Sequence, residues 1–216
     1  MSSVATPSKP FKPGTTGWRA SDLDDPEIEA KWFGGRYEIV EGVLAEMPPA
    51  YFAGGKRLYQ LQFRISLHQQ SARILGSFAN EVDIVVDEYR VVRADAAWMT
   101  PQDEGRQTAA VASAPPLATP GAPRNPERTR VLVPPTLVIE SVSPGHEAHD
   151  RRTKRKWYAE FGVAHYWLFD PFARSIDTLV LEAGNYRVEQ SLAGEADLRP
   201  SLFPGLVLPL SGVWWA

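Results

Sequence analysis

The chain has 216 residues, 44% of them hydrophobic and 23% charged, with a formal net charge of −3 and no cysteine. This is an ordinary globular composition, long enough to bury one sizeable core. It excludes a disulfide framework and any cysteine-based zinc site. It also excludes a chain that holds nucleic acid by overall charge, leaving only a local basic patch for that purpose.

Residues 1–20, rich in Ser, Thr, Pro and Gly, read as a disordered tail. They lack the apolar core of a signal peptide, and no apolar run elsewhere is long enough to span a bilayer. A soluble cytoplasmic protein with no membrane partner is therefore expected, its residues 21–216 forming a single domain. The acidic stretch Asp22-Leu23-Asp24-Asp25-Pro26 caps a short helix through Lys31. RYEIVEGVLAEM, residues 36–47, reads as a hairpin around a Glu41-Gly42 turn. Residues 56–74 place Leu58, Leu61, Ile65 and Leu67 at roughly helical spacing, opposite a basic, amide-rich face. EVDIVVD and YRVVRADAAWM follow as paired strands across a tight Asp-Glu turn. Between 101 and 130 the chain turns to Pro, Ala and Gly without periodicity, which predicts a long surface insertion loop. TLVIESVS is a buried strand, 147–161 a helix ended by Gly162, and AHYWLFD another buried strand. SIDTLVLEAGNYRVEQ reads as a hairpin with a Gly-Asn turn, and LFPGLVLPL packs down as an apolar tail. This order implies an α/β (α+β) fold, a mixed central sheet flanked by helices.

Three residues do not fit their surroundings. Glu140 lies inside an apolar strand, sharing a face with Val138 and Val142. An ionised carboxylate there costs several kcal/mol unless it is paired with a cation or bound to a metal. Projecting the next helix at roughly 100° per residue puts Lys154 in the stripe of Trp157, Tyr158 and Phe161, with Asp150 one turn earlier on the same side. Lys154 either reaches the buried acid or snorkels along Tyr158 to solvent. Arg152 and Lys156 project the opposite way and Arg155 sideways, as a basic surface. Asp95 interrupts apolar β sequence, as a strand-end or bulge aspartate does. Together, two carboxylates on adjacent strands and a nearby ammonium make a site that can hold a hard divalent cation and hydrolyse a phosphodiester.

At these residues the sequence resembles the Uma-type restriction endonuclease family, a branch of the PD-(D/E)XK nuclease superfamily. The matching segments are RYEIVEGVLAEMPP, YRVVRADAAWM, PPTLVIESVSPG, HDRRTKRKWYAEFGVAHYWLFDP and LFPGLVLPL, in family order over roughly 36–210. The resemblance implies a restriction-endonuclease-like core and a Mg²⁺- (or Mn²⁺-) dependent DNA endonuclease. It implies Asp95, Glu140 and Lys154 as catalytic residues and Asp95, Glu140 and Glu38 as metal ligands. Asp150 is implied as a support for Lys154 or for the helix N-terminus. Arg152, Arg155 and Lys156 are expected to contact DNA.

The chain also departs from the family pattern. Val142 stands where the superfamily has its lysine, Ala94 where a proline is usual, and His165 where an acid usually precedes Tyr-Trp; PPAYFAGGK lacks the usual histidine. These departures motivate the alternative, a catalytically degenerate nucleic-acid-binding or interaction module on the same fold. HEAHD, residues 146–150, has His at i and i+3 rather than the i and i+4 of zinc helices, and reads as exposed polar sequence. Trp214-Trp215 is a candidate contact surface for a homodimer.

Overall fold

A computed structural model describes residues 9–49, 51–114, 130–142 and 149–215, the side chains of 149–151 excepted. Among these residues the central feature is an eight-stranded sheet. Strands β1 (Tyr37–Val40) and β2 (Val43–Glu46) form the predicted hairpin, with Glu41 and Gly42 both at positive φ in its turn. Strands β3 (Ser77–Asp87) and β4 (Arg90–Met99) form the second antiparallel pair. They are followed by β5 (Leu137–Ser141), β6 (His165–Asp170), β7 (Ser175–Glu182) and β8 (Asn185–Ala193). The order across the sheet is β2-β1-β4-β5-β6-β7-β8, with β3 also paired to β4. Among the described strand pairs only β5 and β6 run parallel, and a parallel pair needs a crossover. Helix α4 (Arg155–Phe161), wound as π-helix through His149–Lys154 just before it, lies in that crossover.

The mixed, mostly antiparallel sheet is covered on both faces. On one, Trp157 and Tyr158 of α4 pack with Val138, Val142, Tyr166 and Leu168. On the other, helix α2 (Phe52–Ala72) lays Leu58, Leu61 and Ile65 against Leu137, Ile139, Trp167 and Phe169, together with the C-terminal Phe203, Leu208 and Trp214. Strand β5 is therefore apolar on both faces, as a central strand should be. A third cluster joins Trp18, Leu23, Ile28 and Trp32 to Ile39, Leu44 and Val91. Its helix α1 (Pro26–Phe33) is capped by the Asp25 carboxylate, which accepts from the amides of Glu27 and Ile28, with proline at the first helical position.

Several expectations need correction. The tail predicted disordered over 1–20 is packed from residue 9 onward: Trp18 is fully buried, and its indole donates to the Thr15 hydroxyl at 2.8 Å. Residues 1–8 lie outside the described chain. The loop predicted at 101–130 begins instead as helix α3 (Pro101–Ser113). Alanines compatible with a loop are also the best helix formers, and a reciprocal cap between Thr100 and Asp103 starts the helix. Residues 115–129 lie outside the described chain. The turn of the β7–β8 hairpin is Ala183-Gly184, one residue before the predicted Gly-Asn. Trp214 is core, stacked on Phe169 at 5.2 Å, so only Trp215 of the predicted contact pair is exposed. No helix among the described residues is long and apolar enough to cross a membrane.

Candidate functional site

The site forms where β1, β4 and β5 stop pairing. Among the described residues β1 pairs with β4 at Ile39↔Val91, and the β4–β5 ladder runs from Trp98↔Leu137 to Ala96↔Ile139. Beyond those pairs backbone N–H groups need other acceptors, and carboxylates supply them. Glu38 of β1 accepts from the Arg93 amide at 3.0 Å, and Asp95 of β4 accepts from the Ser141 amide at 2.8 Å.

Extending the β4–β5 register by one residue sets Asp95 across from Glu140. The alternation of β4 breaks at this point: Val92 and Ala94 pack beneath α4, whereas Ala96 and Trp98 pack beneath α2. The facing residue of β3, Glu81, is missing from the ladder and sits at φ 50, in the left-handed region where a residue other than glycine is uncommon. The irregularity turns Asp95 toward an open cleft of about 190 Å³, which Glu38, Glu140 and Lys154 also line.

Lys154 is buried and points inward. Its ammonium lies 2.8 Å from Glu38, 3.2 Å from Glu140 and 3.2 Å from the Arg93 carbonyl. Of the two alternatives left by the helical projection, reaching the acid is the one that occurs. The other oxygen of Glu140 accepts from the Tyr158 hydroxyl at 2.6 Å. Burial, and then the Glu140 charge, push the Tyr158 phenol well above its ordinary pKa, so it remains a donor. Behind Lys154 stands a second buried pair. Arg93 meets Asp83 at 2.7 Å, Asp83 accepts from the Trp32 indole at 2.6 Å, and Arg93 donates to the Gly35 carbonyl. Burial opposes the charge of Arg93, but Asp83, with Glu81 and Glu38, more than offsets it, so the guanidinium pKa is raised. This network fixes the carbonyl that Lys154 uses.

The remaining predicted residues are less converged. Arg155 is half-buried and donates to the Tyr186 carbonyl at 2.7 Å, which ties α4 to β8. Arg152 and Lys156 are exposed, and Lys156 lies 3.7 Å from Glu160. The Asp150 side chain and most of HEAHD lie outside the described residues.

Sequence reasoning missed three contributors. Arg36 reaches Asp95 at 3.4 Å and pairs with Glu81. Gln62 of α2 lines the cleft and donates to Asn80 at 2.6 Å. Periodicity places Tyr158 in an apolar stripe, but a buried phenol generally has a hydrogen-bond partner, and that is the signal the sequence offers. Arg36 carried no local signal, because its role depends on elements distant in the chain; Gln62, four residues after Leu58 and three before Ile65, is buried on the apolar face of α2 rather than on the amide-rich face expected of it.

The donor set is all oxygen and fits a hard divalent cation. Among the described residues no three His, Cys, Asp or Glu side chains converge as a metal cluster. Mg²⁺, however, is commonly held by one or two carboxylates, with waters and substrate phosphates completing its shell. Asp95 and Glu140, on adjacent strands and lining one cleft, match that pattern.

A family model, Uma2, described as "Putative restriction endonuclease", matches residues 31–211. No curated protein matches the chain. Among solved structures, the crystal structure of a putative nuclease belonging to DUF820 from Anabaena variabilis is similar. It has a TM-score of 0.58 and 16% sequence identity, over 82% of this chain and 89% of that one. At this identity the likeness concerns the fold.

Proposed function

The chain belongs to the Uma2 family of restriction-endonuclease-like proteins, and on that premise we propose that its cleft hydrolyses phosphodiester bonds in DNA with a Mg²⁺ (or Mn²⁺) ion held by Asp95 and Glu140. The observation that carries the reading is Lys154. Its side-chain nitrogen is buried in the cleft beside Glu140, within reach of Glu38, Glu140 and the Arg93 carbonyl, on the face where Asp95 opens. A lysine needed only for solubility has no reason to be desolvated there.

In this reading Asp95 and Glu140 are the ligands, and the metal's chemistry is to polarise a phosphoryl oxygen and to acidify bound water. Lys154 stabilises charge developing on the phosphorane, and its preorganisation by Glu38, Glu140 and the Arg93 carbonyl makes that effective. Glu38, nearer to the ammonium than Glu140 is, acts mainly as its anchor and contributes a further carboxylate to the cleft. Tyr158 orients Glu140. Arg36, beside Asp95, balances its charge when no cation is bound. Arg152 and Lys156 contact backbone phosphates from the exposed face.

The decisive variant is Asp95→Asn, because an amide oxygen still accepts from the Ser141 amide while the ligand charge disappears. Cleavage under single-turnover conditions and calorimetric Mn²⁺ binding should both be lost, with the melting temperature nearly unchanged. Lys154→Met should bind metal and DNA but not cleave. It must be assayed below its own melting temperature, since removing one partner of a buried pair costs about 3–5 kcal/mol. Arg152→Ala and Lys156→Ala should each flatten the salt dependence of binding by about one unit of slope. Wild-type cleavage rates in Asp95→Asn would sink the mechanism. DNA binding without cleavage by the intact protein would favour the binding-module alternative on the same fold.

A further inference from the structure

On its solvent side α2 presents Phe52, Lys56, Tyr59, Phe63 and Leu67, spaced by four, three, four and four residues and therefore on one helical face. All five are exposed, Phe52 by 88% and Tyr59 by 58%. A stripe of large apolar side chains facing water, broken by Lys56, marks a surface that is covered in use. Charge points to what covers it. The 21 residues of α2 include Lys56, Arg57 and Arg64 but no Asp or Glu, in a chain whose net charge is −3; Lys56 is exposed on the stripe, while Arg57 and Arg64 are half-buried and donate to the carbonyls of Pro171, Trp214 and Gly212. The stripe also runs into the site, since Tyr59, with Tyr51 and Phe172, lines the same cleft as Asp95, Glu140 and Lys154. Tyr51 and Phe172 meet edge to face at 5.5 Å, whereas Tyr59 and Phe63 lie nearly parallel, at 16° and 6.0 Å.

We propose that this aromatic rim binds unpaired bases, so that the cleft takes single-stranded or frayed DNA in preference to intact duplex. The inference rests on the nuclease reading above and adds the substrate class. Exposed rings offer π-faces on which any base can stack, and the Lys56 ammonium among them can meet a phosphate. Interior bases of a duplex have both faces covered and cannot use such rings. The competing occupant is a second copy of the chain. It would be held by apolar area, for which leucine serves as well as tyrosine, whereas stacking requires the ring.

The test uses the full chain, without divalent metal so that binding is read apart from turnover. Anisotropy is measured on a short labelled single strand, the same strand carrying abasic sites, and the blunt duplex. Tyr59→Leu should weaken single-strand binding about tenfold and leave duplex binding unchanged, and Tyr59→Trp should bind like the wild type. The abasic strand should bind the wild type about as weakly as the intact strand binds Tyr59→Leu. Tyr59 is exposed, so thermal melts should coincide for all variants. Wild-type affinity in Tyr59→Leu, or equal binding of abasic and intact strands, overturns the proposal. So does a dimer in sedimentation that Phe63→Ala dissociates without any change in single-strand binding. If the wild type never cleaves yet shows this binding pattern, the nuclease reading fails and the stacking site stands. If it cleaves duplex regardless of Tyr59→Leu, the reverse holds.

Discussion

Glu140 is held by two neighbours of different kinds, the Lys154 ammonium at 3.2 Å and the Tyr158 hydroxyl at 2.6 Å. The phenol has a consequence for stability. Its pKa is raised in the folded state, chiefly by burial and then by Glu140. Below the unfolded tyrosine value, about 10, both states carry the proton and the contribution is fully present. As pH rises past that value the unfolded state loses its proton first, so stability falls. Tyr186, also buried and raised, behaves the same way. Tyr158→Phe should therefore lower stability at pH 7 by about 1–3 kcal/mol, because Glu140 loses a donor. It should also make the decline above about pH 10 shallower than in the wild type, though not flat while Tyr186 remains. Urea midpoints across that range check this, and identical slopes for the two proteins would contradict it.

At the scale of elements, α3 is the piece whose nature sequence composition misjudged. Asp103 is buried, accepts from the Thr100 amide at 3.0 Å, and is bonded by Arg106 at 2.6 Å and by Thr136 just before β5. One carboxylate thus caps the helix and fastens it to the strand that carries Glu140. Burial works to raise its pKa, but the bonds from Thr136, Arg106 and Thr100 outweigh it and the net shift is downward. Its contribution is then present above the unfolded carboxylate value, about 3.9, and is lost as pH falls through the lower folded value. Asp103→Asn should cost about 1–2 kcal/mol at neutral pH and flatten the acid side of the stability profile. Thermal melts from pH 7 to strongly acidic buffer test this. An unchanged profile would mean that α3 is as dispensable as a loop.

Across the whole molecule, three clusters meet at the sheet, and the third is closed from outside the predicted domain boundary. Trp18 is fully buried, its amide donates to the Gly42 carbonyl at 2.9 Å, and Phe11 packs edge to face on it at 5.5 Å. The same cluster contains Trp32, whose indole leads through Asp83 to Arg93 and so to Lys154. Trp18→Ala should destabilise by about 3–5 kcal/mol. It should also weaken metal binding, because β1 carries Glu38 and the hairpin turn loses its cover. Chemical denaturation read beside calorimetric metal titration would show both effects, and a loss of stability with unchanged metal affinity would separate the cluster from the site.

What the sequence determined by itself was whatever rests on local periodicity and turn chemistry. The hairpin at Glu41-Gly42, the two-sided apolar strand holding Glu140, the helix ended by Gly162 and the place of Lys154 in the apolar stripe all follow from residue spacing, whereas its choice of the acid over solvent was decided by the tertiary structure. The sequence also named Asp95 as anomalous, and the resemblance assigned it a role. What only the tertiary structure decided was which groups meet. Arg36 and Gln62 enter the cleft from β1's approach and from α2, and Glu81 faces Asp95 across a break in the β3–β4 ladder. Composition misread 9–20 and 101–113 for the same reason. Ser-, Pro- and Ala-rich stretches offer little local pattern, so their order depends on a few anchors, Trp18 and Asp103, whose partners lie far along the chain. Periodicity reports which face of an element is buried. It carries no information on which other element covers that face, because that choice is made by packing between residues separated by tens of positions.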